Sequence, residues 1–216
     1  MPGKNMNCNG TRCYRSPYQD PKIIWIMCLS TKQERLEEDT VWNIEAAINY
    51  IKDIKPELVK AIIISGDTHL TGKTKSVPEM MKNYIEATYP EIYSRFKDIF
   101  ILEEESLTSR ENIPYSLVKL YNTGTRDTWE EHVICTEKHH GYLLRFLLRY
   151  HLQKADKSWK NKHITIMPSQ QTRLGWRGRM IRYFQKVEVR LFPQGKFSPF
   201  YRLVLRRRRQ FLEKQY

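Results

Sequence analysis

Two rhythms of apolar residues take turns along this chain. Residues 22–29 (KIIWIMCL) are an unbroken apolar run stopped by Ser30 and Thr31, the pattern of a strand buried on both faces. Ile44, Ala47, Ile48, Ile51 and Ile54 then recur at three- and four-residue spacing, which predicts an amphipathic helix halted by Pro56. Residues 59–64 repeat the strand pattern and end in Ser65, Gly66 and Asp67. After a polar loop with Gly72, Ser76 and Glu79 have the spacing of a capping box and open a helix carrying Met80, Met81, Tyr84 and Ile85. Residues 98–102 give a third strand, followed by Glu103, Glu104 and Glu105. Thr108 and Glu111 form a second capping-box pair ahead of Ile113, Leu117 and Leu120. Residues 132–135 and 163–167 read as two further strands, separated by a leucine-rich helix over 141–151.

Strands and helices alternating in units of this length predict an α/β fold. Its core is a doubly wound, mostly parallel sheet with right-handed crossovers and helices on both faces. The chain divides into a polar leader (1–21), the α/β domain (22–168) and a C-terminal extension (169–216). Within the extension, residues 176–184 fit a helix. Val187, Val189 and Leu191 alternate with Glu188 and Arg190 as on a half-exposed strand. Beyond residue 199 the pattern fits either strand or helix, and Phe200, Val204, Phe211 and Leu212 would share one side of an amphipathic helix.

Charge sharpens this division. Of the net +13, residues 1–153 contribute almost nothing, with 20 Lys and Arg against 21 Asp and Glu; residues 154–216 hold 17 against 3. The excess points to an anionic membrane surface or a nucleic acid as partner through residues 173–209, or to a solvated basic tail. No apolar run approaches the ~18 residues of a membrane-spanning helix. The run at 23–29 also lacks a signal-peptide cleavage pattern, so a cytoplasmic location is expected. Cys28 and Cys135 fall in predicted strands as small buried hydrophobes. Cys8 and Cys13, in the leader, lack the second ligand pair that a zinc site needs.

In an open parallel sheet, ligands bind beyond the carboxyl ends of the strands. That rule gathers Ser65, Gly66, Asp67 and His69, then the stretch 103–106, then the stretch 136–140, at one rim. Each has a plainer role as well. Glu79 and Glu111 complete caps, Ser106 and Asn112 fasten a turn, and His139 and His140 stand at a helix start. Adjacent glutamates repel, and crowding in a cleft would suit one of them to acid–base work. Asp67, His69, Glu103 and His140 are chemically capable of holding a divalent ion, but lack a fixed ligand spacing, so no metal is assigned.

The ordered set Ser65-Gly66-Asp67, Glu79, Glu103-x-x-Ser106-x-Thr108-Ser109-x-Glu111-Asn112, Thr136 and His140 resembles the bacterial YdcF/SanA/ElyC family over residues 22–168. That family shows Ser-Gly-Gly after its second strand, E-x-x-S-x-N-T-x-E-N after its third and Thr-Ser…His-x-x-Arg after its fourth. The resemblance implies a Rossmann-like α/β/α sandwich. It also implies site residues at Ser65, Gly66, Glu79, Glu103, Ser106, Ser109, Glu111, Asn112, Thr136 and His140. This chain departs from the pattern in four places. Cys28-Leu29-Ser30 replaces the glycine-rich turn after strand one, Asp67 the second glycine, and Thr108 an asparagine. Leu143 occupies the arginine position after His140. The nearest arginine, Arg145, lies about 200° further round a helix.

Two functions follow as expectations. The first is a site for a small polar or nucleotide-like ligand. Glu103 and His140 would supply proton transfer if it is an enzyme; Ser65, Gly66, Asp67, Glu79, Ser106, Ser109, Glu111, Asn112, Thr136 and Arg145 would hold the ligand. The resemblance adds S-adenosylmethionine as a cofactor to consider. The second is a non-catalytic cell-envelope or membrane-surface factor acting through its basic C-terminal region.

Overall fold

The computed structural model describes residues 19–28, 31–32, 35–66, 76–106, 108–125, 128–157, 159, 162–169 and 176–193, with 202 and 206. Five parallel strands make the central sheet: β1 (Lys22–Met27), β4 (Val59–Ser65), β5 (Phe100–Glu103), β6 (Glu131–Thr136) and β7 (His163–Pro168). A short antiparallel pair, β2 (Thr31–Lys32) and β3 (Arg35–Leu36), follows β1. The helices are α1 (Glu38–Ile51), α2 (Val77–Thr88), α3 (Pro90–Phe96), α4 (Ser109–Asn122), α5 (Lys138–Ala155) and α6 (Trp176–Leu191).

The sheet order β5-β4-β1-β6-β7 is the Rossmann-like doubly wound order, the chain working outward from β1 first one way and then the other. The alternation of β1 explains how both faces are filled. Ile24 and Ile26 join a core made with α1, α2 and α3, while Ile23, Trp25 and Met27 join one made with α4, α5 and α6. Burial on both faces is why these strands read as continuous apolar runs.

At the amino ends of the strands, Lys22 is fully buried and donates to Glu131 at 2.9 Å; Thr165 donates its hydroxyl to the same carboxylate. This pairing neutralises the charges at the floor of the fold, opposite the rim.

One expected element is corrected. Val187, Val189 and Leu191 belong to α6, which runs on to Leu191 rather than giving way to a strand. A five-residue alternation is compatible with either period, and β7 pairs with β6 alone among the described strands. Val189 points into the core, and α6 is held by Arg110, which bonds Glu188 at 2.9 Å and the Phe192 carbonyl at 2.7 Å. Among the described residues, no helix is long and apolar enough to cross a membrane.

Candidate functional site

The carboxyl ends of β4 and β5 meet in one buried cluster. Glu103 ends β5 with no exposed surface, and its register partner is Ser65, the last residue of β4. Ser65 Oγ donates to Glu103 Oε2 at 2.8 Å, and Ser106 Oγ donates to the same oxygen at 2.6 Å. The other oxygen, Oε1, accepts from the amides of Glu105 (2.8 Å) and Ser106 (2.9 Å). Four donors converge on one carboxylate, and they fold the chain after β5 into a tight turn.

Asn112, buried in α4, also contacts Ser106 Oγ through its side-chain amide. A hydroxyl has one proton, so it cannot serve both Glu103 and an amide oxygen. The consistent arrangement turns the amide so that its NH₂ donates to Ser106 and Ser106 donates to Glu103.

The three consecutive glutamates therefore diverge. Glu103 turns inward, while Glu104 accepts from Ser76 Oγ at the start of α2. Glu105 is exposed and pairs with Lys119 at 3.2 Å. Both expected caps are present: Ser76 Oγ accepts from the Glu79 amide at 3.1 Å, and Thr108 Oγ1 from the Glu111 amide at 3.4 Å. Glu79 and Glu111 are half-buried in the first turns of their helices.

A second group forms at the carboxyl end of β6. Thr136 is buried, with its hydroxyl 3.3 Å from His140 Nδ1. Desolvation of the imidazole pushes His140 down to about 4, so it is neutral at pH 7. Glu137, within the rim stretch 136–140 but without a role read from the sequence, caps α5: its carboxylate accepts from the amides of His139 (3.0 Å) and His140 (3.1 Å).

The two groups do not merge. Glu103 ends the edge strand and Thr136 the strand three places along the sheet, which separates them by about 14 Å. Between them lie Gly66 and Cys28. A Cβ on Gly66 would stand 2.6 Å from Cys28 Cβ, so glycine lets the two chain turns touch. Cys28 lies just past β1 at the rim, half-buried, its sulfur 3.5 Å from Thr40 Oγ1. Cys135 lies inside β6, where burial pushes its thiol up to about 12 and leaves it unreactive.

Arg145 sits half-buried on α5, five residues beyond His140 and about 140° round the helix, so the helix does not turn it toward that imidazole. Asp67, His69 and the Ser109 side chain lie outside the described residues, as do Cys8 and Cys13. Among the described residues no three His, Cys, Asp or Glu side chains gather as metal ligands.

Three of the four helix starts at this rim are filled by side chains of the chain itself. Ser76, Thr108 and Glu137 accept the first amides of α2, α4 and α5, and α1 opens with Glu38 and Asp39. A rim dressed with carboxylates favours hydroxyl and cationic groups over phosphate. Compared with family models, curated proteins and solved structures, the chain matches none.

Proposed function

We propose that the domain binds a small polar ligand in the crevice beyond β1 and β6, where the crossovers leave the sheet toward opposite faces. Such switch points are where open α/β sheets bind ligands. The observation that carries the reading is His140, a neutral imidazole beside the Thr136 hydroxyl at that point. The Ser65–Glu103–Ser106–Asn112 cluster holds the neighbouring wall rigid, as a binding site requires.

The internal capping narrows the ligand class. A hydroxyl-bearing or cationic group, such as the sugar of a nucleoside, suits this rim better than a phosphate. S-adenosylmethionine, which the family resemblance suggests, carries an ammonium and a sulfonium that fit a carboxylate-rich border. If the ligand is turned over, His140 is the titratable side chain that stands at the crevice beside the Thr136 hydroxyl.

Calorimetric titration and thermal melting with adenosine, S-adenosylmethionine and ATP test the proposal. Adenosine or S-adenosylmethionine is expected to stabilise the protein, with no further gain from the ATP phosphates. His140→Ala and Thr136→Val should remove that stabilisation while the fold persists. Binding that survives both substitutions places the ligand elsewhere.

A further inference from the structure

One side of α6 holds the helix to the domain, and the opposite side is apolar and exposed. Val189 is buried in the core, and Arg110 secures the helix end. Across the axis, Met180, Tyr183, Phe184, Val187 and Leu191 fall within about 100° of arc. Their exposures are 45%, 61%, 61%, 38% and 67%. Beside them, Tyr142 and Phe146 of α5 are also exposed. With Leu143 and Val189 they line a groove of about 220 Å³ that Lys186 and Arg190 complete.

An apolar patch of this extent on a charged chain marks a contact surface, and charge says with what. The sequence of α6 carries Arg177, Arg179, Arg182, Lys186 and Arg190 against Glu188 alone. A second copy would set these cations against their like. Residues 194–216, with seven Lys and Arg against one Glu, would do the same. An anionic partner complements them. An apolar stripe about 17 Å long, with Lys186 and Arg190 along one edge, has the form of a helix that lies in the interface of a bilayer.

We propose that α6 and the adjoining edge of α5 dock onto an anionic lipid bilayer. The stripe enters the acyl boundary, and Lys186 and Arg190 meet phosphate headgroups. The groove adjoins the crevice where Lys186 Nζ stands 3.4 Å from His139 Nδ1, but docking of the stripe does not depend on a ligand there.

Flotation of the full chain with vesicles tests it, comparing phosphatidylcholine alone with phosphatidylcholine containing phosphatidylglycerol. Binding to the anionic vesicles is expected to be stronger by roughly tenfold or more and to weaken with salt. The double variant Phe184→Ser, Leu191→Ser should fall back to the phosphatidylcholine level with unchanged melting, since both side chains are exposed. Tyr115→Ser, an exposed site on α4, should bind as the parent does. Absent binding, or equal binding to both vesicles, overturns the proposal. So does anionic binding that survives the double substitution, which would assign it to the basic residues of 194–216. A dimer in solution that the double substitution dissolves would make the stripe a contact between copies, and would overturn it equally.

Discussion

Ser106 grips Glu103 twice, its hydroxyl bonding one carboxylate oxygen at 2.6 Å and its amide the other at 2.9 Å. With Ser65 and the Glu105 amide, this leaves the carboxylate surrounded by donors and sealed from solvent. Such a group ties strand ends together.

Removing it should therefore be felt in folding. Glu103→Ala strands two hydroxyls and two amides without their acceptor, and a loss of about 3 kcal/mol or more is expected in urea denaturation. Glu103→Gln keeps the shape and one acceptor oxygen and should lose less, about 1–2 kcal/mol. Unchanged stability in both, with ligand binding lost, would give the carboxylate a chemical role instead.

The same cluster shows what a linear reading can and cannot find. The caps at Ser76 and Thr108 are legible because both partners lie within four residues. Ser65 and Glu103 stand 38 residues apart, and only the pairing of β4 with β5 reveals that they meet. The rim position of both was predictable from βα alternation; the direction in which each of three glutamates turns was not. Glu137 falls in the rim stretch 136–140, but its capping role is hidden in the sequence because glutamate is not a preferred N-cap residue. Its place directly between strand and helix was the available signal. The end of α6 was misread because five residues are too few to distinguish a period of two from one of 3.6.

Two histidines make stability depend on pH. His132, fully buried in β6, accepts a 2.8 Å bond from the Trp25 indole and is pushed down to about 3 by burial and the Lys162 charge. His140 is pushed down to about 4. Both are neutral when folded, whereas the unfolded chain takes up protons below pH ~6.5. The folded state is therefore at full strength above that pH and weakens as pH falls toward 4. For His132 the slope approaches about 1.4 kcal/mol per pH unit. Melting curves between pH 7 and 4 check this, and His132→Phe should flatten them. A flat profile in the parent would mean that the imidazoles are protonated in place.

Gly66 is expected to resist substitution. Gly66→Ala drives a methyl to 2.6 Å from Cys28 Cβ, also within 3.3 Å of Val77 Cγ1. The strands on either side cannot yield freely, so a cost of about 1–3 kcal/mol is expected. Cys28→Gly removes the atom in the way and should recover part of the loss in the double variant. Additive losses would show that the strain lies elsewhere.

The last prediction concerns which ligands the rim accepts. The Glu137 carboxylate occupies the start of α5 through the His139 and His140 amides, putting a full negative charge where a phosphate would otherwise sit. Glu137→Ala should cost about 1–2 kcal/mol in stability, from the lost cap and its favourable charge at the helix terminus. Glu137→Ser keeps a cap but not the charge, and leaves amides able to take an anion. Melting in phosphate against chloride at matched ionic strength should then stabilise Glu137→Ser and leave the parent unmoved. Should phosphate stabilise the parent as strongly, Glu137 yields its place to anions, and the crevice would suit a phosphate-bearing ligand after all.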